Sequence, residues 1–151
     1  MAEPQVDFYV LTGNEPGARL RFACRLVEKA WLKRHRVRVQ LEPGGELEDF
    51  DLLLWTFSDR AFIPHRRAGS ADDAPAPAPA PVVIADSDAA DAADGDVLVN
   101  LAAALPPLDG WSRIAEVVDA DAARRMKGRE RFRAYRDHGL EPKTHDMGDE
   151  P

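Results

Sequence analysis

The sequence predicts a three-layer α/β domain built on a mostly parallel central sheet of about five strands flanked by helices, and three observations carry that prediction. Short apolar runs rich in β-branched residues alternate along the chain with segments whose apolar residues recur every three or four positions. Their order is strand, helix, strand, helix, strands, helix, which right-handed crossovers wind into one covered sheet. A length of 151 residues at 44% hydrophobic is enough for a single domain with a real core.

The first element, Val6 to Leu11 ("VDFYVL"), is a run of β-branched and aromatic residues closed by the turn "TGNEPG", a buried strand. A helix follows, in which Leu20, Ala23, Cys24, Val27, Ala30 and Trp31 fall on one stripe. In "HRVRVQLEP", Val37, Val39 and Leu41 alternate with polar residues, the period of a strand. "ELEDFDLLLWTF" places Leu47, Phe50, Leu53 and Leu54 on one helical face, while Leu52 and Trp55 project away from it with no obvious core to enter.

From 66 to 81 the chain reads "RRAGSADDAPAPAPAP"; alternating Ala-Pro favours an extended polyproline conformation, so a flexible loop is expected there. Two continuous apolar runs, "PVVIAD" and "DVLVNLA", have the character of parallel strands buried on both faces, and "IAEVVD" is a third. A last helix runs from about Asp121 to His138. One domain is expected over 1–140, followed by an irregular acidic tail over 141–151.

Composition excludes several function classes. With a single cysteine, Cys24, no internal disulfide can form, and neither a signal sequence nor an apolar run of membrane-spanning length is visible, so a cytoplasmic protein with no membrane contact is expected. A net charge of -7 disfavours unselective binding to nucleic acid, so any anionic partner must be met locally. "TGNEPGAR" lacks both the GxGxxG and the GxxxxGK[ST] spacing of phosphate loops. His35, His65, His138 and His145 stand singly, and the aspartates at 86, 88, 91, 94 and 96 lack the alternation and the bidentate glutamate of a calcium loop. No serine sits in a nucleophile elbow, and Cys24 lies within a core stripe. Neither a catalytic residue nor a cofactor or metal site is expected.

What remains is "GRERFRAYRDHG". On the last helix Gly128, Phe132 and Tyr135 share one face, and Arg125, Arg129, Arg133 and Arg136 form a stripe beside it. Four like charges at helical neighbour spacing repel by a few tenths of a kcal/mol per pair, which an acidic guest would relieve. Arginine forks bind carboxylates bidentately, a chain-terminal one included, with Phe132 bordering a pocket for an apolar side chain.

Together with "FYVL" at 8–11, "ACRLVEKAW" at 23–31, "LLWTF" followed by "FIPH" at 62–65, "DVLVNLA" at 96–102 and "EVVD" at 116–119, this block resembles the chi subunit family of bacterial DNA polymerase III holoenzyme, small non-catalytic proteins of the clamp-loader assembly. The resemblance implies a Rossmann-like fold without nucleotide chemistry. It implies capture of the acidic C-terminal tail of single-stranded DNA-binding protein by Arg125, Arg129, Phe132 and Arg133. It further implies docking of a psi-like subunit, or of an iron-sulfur helicase in its place, on Leu52, Trp55, Phe62, Ile63 and Pro64, with DNA contacted only indirectly. Two rivals are a small Rossmann-like nucleotide-dependent enzyme and direct binding of DNA by the arginine helix.

Overall fold

The computed structural model of the protein describes residues 4–13, 15, 17–58, 63–67, 82–86, 96–108 and 110–148. Its elements are β1 (Gln5–Leu11), α1 (Ala18–Leu32), β2 (Val37–Gln40), α2 (Glu46–Thr56), β3 (His65–Arg67), β4 (Val82–Ala85), β5 (Val97–Asn100), β6 (Arg113–Val118), α3 (Ala122–Asp137) and β7 (Lys143–Gly148). All seven strands join one sheet in the order β3-β4-β2-β5-β6-β1-β7. Every pairing is parallel, as expected for strands linked by crossovers.

The two faces of the sheet carry separate cores because side chains alternate along each strand. Val97, Val99, Ala115 and Val117 pack with Leu20, Phe22, Phe50 and Leu54 of α1 and α2. Leu98, Ile114 and Val118 point the other way, joining Val6, Phe8 and Tyr135 under α3. The α1 stripe is as its period dictates: Leu20, Ala23, Cys24 and Val27 are buried, and Ala30 and Trp31 are half-buried. Burial pushes the Cys24 thiol from 9.0 up to about 12, in keeping with a core residue. Gly128 lets α3 approach β6 closely, since a Cβ there would lie 3.2 Å from Cγ2 of Val118.

Two strands were not expected. β3 occupies the first residues assigned to the loop at 66–81, pairing His65–Arg67 with β4, and the remainder of that loop lies outside the described residues. β7 falls within the segment expected as an irregular tail over 141–151: Lys143–Gly148 pairs with β1 along the sheet's border, and residues 149–151 lie outside the described residues. Both are edge strands of polar sequence. An edge strand is held by backbone hydrogen bonds on one side and faces water with most of its side chains, so no apolar alternation announces it.

Candidate partner-binding sites

The arginine helix is anchored before it offers anything to a partner. Asp121 caps it, its carboxylate accepting from the Arg124 amide at 3.0 Å. On its inner side Phe132 packs on Phe8 with ring centroids 5.3 Å apart, and Tyr135 meets Phe8 edge-on at 5.8 Å. Between α3 and the β1–β7 border lies a groove of about 290 Å³, floored by Phe8, Val10 and Phe132 and rimmed by Arg125, Arg129 and Asp146.

The four residues expected at this site have different placements. Arg129 is exposed on the rim, and Phe132 is half-buried in the floor. The Arg125 guanidinium lines the groove but donates to two carbonyl oxygens, of Asp119 and of Leu11, each at 3.1 Å. Arg125 is therefore tied to the carboxyl ends of β6 and β1. Arg133 is exposed and does not line the groove.

The second expected surface sits on α2. Leu52 is 64% exposed and Trp55 47%, large apolar side chains in water beside an exposed Pro64. Ile63 corrects the expectation. It is fully buried in the core that holds Phe50 and Leu54, so no partner can touch it without opening the domain. Phe62 lies outside the described residues. Sheet order separates the two surfaces: β4, under α2, stands four strand spacings from β1, about 19 Å.

The family model of the DNA polymerase III chi subunit, HolC, matches residues 4–143, from β1 to the first residue of β7. The chain belongs to this family. It is 37% identical over 142 residues to DNA polymerase III subunit chi of Pseudomonas aeruginosa, covering 93% of this chain and 95% of that protein. It is 27% identical over 143 residues to the Haemophilus influenzae protein of the same name, covering 94% and 96%. Among the described residues no helix is long and apolar enough to cross a membrane, and no group of three potential metal ligands occurs.

Residues outside the expected set hold this chi fold's two surfaces in place. His65, the last residue of "FIPH", has its side chain almost wholly buried. Its Nδ1 lies 2.8 Å from the Ile63 carbonyl oxygen and its Nε2 2.6 Å from the Asp51 carboxylate. The same carboxylate accepts from Nε and Nη2 of Arg67, at 3.1 and 2.8 Å. Asp51 thus fastens β3 to α2 beneath Trp55.

Under α3, Glu116 is fully buried on β6 and accepts from Nε of Arg131 at 3.0 Å, the Tyr135 hydroxyl at 2.6 Å and Nδ2 of Asn100 at 3.0 Å. Burial raises its carboxyl above the usual range while Arg131 and the other donors oppose the rise. Burial and the neighbouring Glu116 push the Tyr135 phenol up as well. Only a charged residue in an apolar strand, "IAEVVD", signalled this cluster in the sequence. A further cavity of about 350 Å³ opens at the carboxyl ends of β5 and β6, lined by Arg19, Arg124, Lys127 and Arg131. Each cation already has a carboxylate: Glu46, Asp119, Glu130 and Glu116 in turn.

Proposed function

We propose that the protein is a non-catalytic adaptor of the DNA polymerase III clamp-loader assembly, tethering it to coated single-stranded DNA. In this reading the α3 groove grips the acidic C-terminal tail of single-stranded DNA-binding protein. Leu52, Trp55 and Pro64 dock a psi-like subunit, or an iron-sulfur helicase in its place, and these partners bring the assembly to DNA indirectly.

The observation that carries the reading is the groove itself, where Arg129 stands exposed beside an apolar floor of Phe8 and Phe132. A terminal carboxylate suits the guanidinium fork, and the floor suits a neighbouring apolar side chain. Because Asp146 shares the rim, the net attraction is small. A single tail should bind at micromolar level, about -8 kcal/mol, strengthened by avidity when several coating subunits present tails.

A labelled tail peptide, followed by fluorescence anisotropy, tests this directly. Arg129→Glu should abolish binding and Trp55→Ala should leave it intact; an Arg129→Glu protein that keeps wild-type affinity refutes the groove assignment. The rival nucleotide-dependent enzyme would use the cavity at the sheet's carboxyl edge, whose cations are all paired. A thermal shift with ATP, NAD or S-adenosylmethionine would favour that rival, since a ligand at about 100 times its dissociation constant stabilises by roughly 2.7 kcal/mol.

A further inference from the structure

We propose that a second groove, between α1 and the opposite face of the β1–β7 border, binds single-stranded nucleic acid. Arg21, Arg25, Lys29 and Lys33 occur at four-residue intervals, and all four are exposed. At the helical rise they stand about 6 Å apart, a line of positive charge roughly 18 Å long. The groove beside them, about 680 Å³, is lined by Arg25, Lys29 and Lys33 and, from β6, by Arg113.

Among the described residues no carboxylate lines this groove, although the whole chain carries a net charge of -7. Each of the other two grooves includes at least one: Glu42 and Glu46 in the first, Asp146 in the second. Asp7, near the floor, is already held by His145 at 2.9 Å and Arg113 at 3.8 Å. Lys29 and Lys33, one helical turn apart and both exposed, repel each other, and a polyanion laid along them removes that repulsion.

Two features favour a nucleic acid strand over an acidic peptide. The cations of the α3 groove are both arginines, forks suited to carboxylates, whereas this groove adds to Arg25 and Arg113 the point charges of Lys29 and Lys33, which suit a phosphate backbone. The wall is aromatic: Tyr9 packs on Phe22 at 5.5 Å and stacks on His145 at 5.0 Å with their planes 18° apart. A basic track beside fixed rings and an apolar floor meets the needs of unpaired bases on a phosphate backbone, and bases inside a duplex cannot reach such a floor. This inference is independent of the tail-binding reading, because the two grooves lie on opposite faces of the sheet.

The test is anisotropy of a fluorescein-labelled oligothymidylate of about 15 nucleotides, titrated with the full-length protein at about 50 mM salt. Wild type should bind with log K falling against log salt by about 0.7 per phosphate engaged. Lys29→Glu/Lys33→Glu should weaken binding at least about tenfold and flatten that slope, with Lys29→Gln/Lys33→Gln giving a smaller loss in the same direction. Arg129→Glu should change it little. Absence of binding by wild type overturns the proposal, as does binding that survives the double charge reversal. If wild type ignores the oligonucleotide but binds poly-glutamate through Lys29 and Lys33, the groove belongs to an acidic peptide and the proposal also fails.

Discussion

The His65 ring lies 4.3 Å from the ring of Trp55, centroid to centroid, at 41° between planes. One face of Trp55 is thereby supported by a histidine whose own nitrogens are engaged by Ile63 and Asp51. An exposed tryptophan propped in this way has little rotamer freedom left to lose, which would favour the docking role proposed for it.

Trp55→Ala and His65→Ala should therefore separate. Trp55 is half-exposed, so its truncation should cost less than about 1 kcal/mol of stability while releasing the psi-like or helicase partner. His65→Ala breaks two buried bonds and should cost about 1–3 kcal/mol, weakening the same partner although Trp55 remains. Urea denaturation read beside a pull-down distinguishes them; equal destabilisation by both would deny the supporting role of His65.

Arg125 and Arg129, one turn apart, should also behave differently. Arg125→Ala orphans carbonyl oxygens at the ends of β1 and β6 and should lower stability by about 1–3 kcal/mol. The exposed Arg129→Ala should stay within about 0.5 kcal/mol of wild type while losing tail affinity. Denaturation midpoints paired with peptide titrations check both.

The buried Glu116–Arg131 pair should be costly to break and cheaper to replace whole. Arg131→Met leaves a buried carboxylate without its counter-ion and should destabilise by about 3–5 kcal/mol. Glu116→Gln with Arg131→Met should cost less than the sum of the two single changes. A double-mutant cycle by urea denaturation reads the coupling; strict additivity would mean that the pair does not act as a unit.

Stability should fall in alkali. Cys24 and Tyr135 hold their protons more tightly folded than unfolded, so their contribution is intact below the ordinary thiol value of 9.0 and is lost as pH climbs past it. Each group should remove up to about 1.4 kcal/mol per pH unit once its unfolded form ionises, Cys24 first and Tyr135 above its ordinary 10.0. Denaturation midpoints measured from neutral pH upward follow this, and Cys24→Ala should delay the onset. A flat profile through that range would contradict the burial of both groups.

Local periodicity was enough for much of this molecule. The five apolar strands, the three helices and the outward projection of Leu52 and Trp55 are short-range patterns, because a side chain's direction on a helix or strand follows from its offset to its neighbours. The arginine stripe of α3 is legible in the same way. Tertiary structure decided whatever depends on contacts distant in sequence. It buried Ile63 although "FIPH" adjoins an exposed surface, and it tied Arg125 to the carbonyl of Leu11 across 114 residues. It brought Glu116 to Arg131, and it set polar β7 beside β1, where His145 reaches Asp7 from 138 residues away. Sheet order alone places β1 and β7 between α1 and α3 and so makes two basic grooves, one on each face, because strand neighbours are chosen by crossovers that leave no periodic mark in the chain.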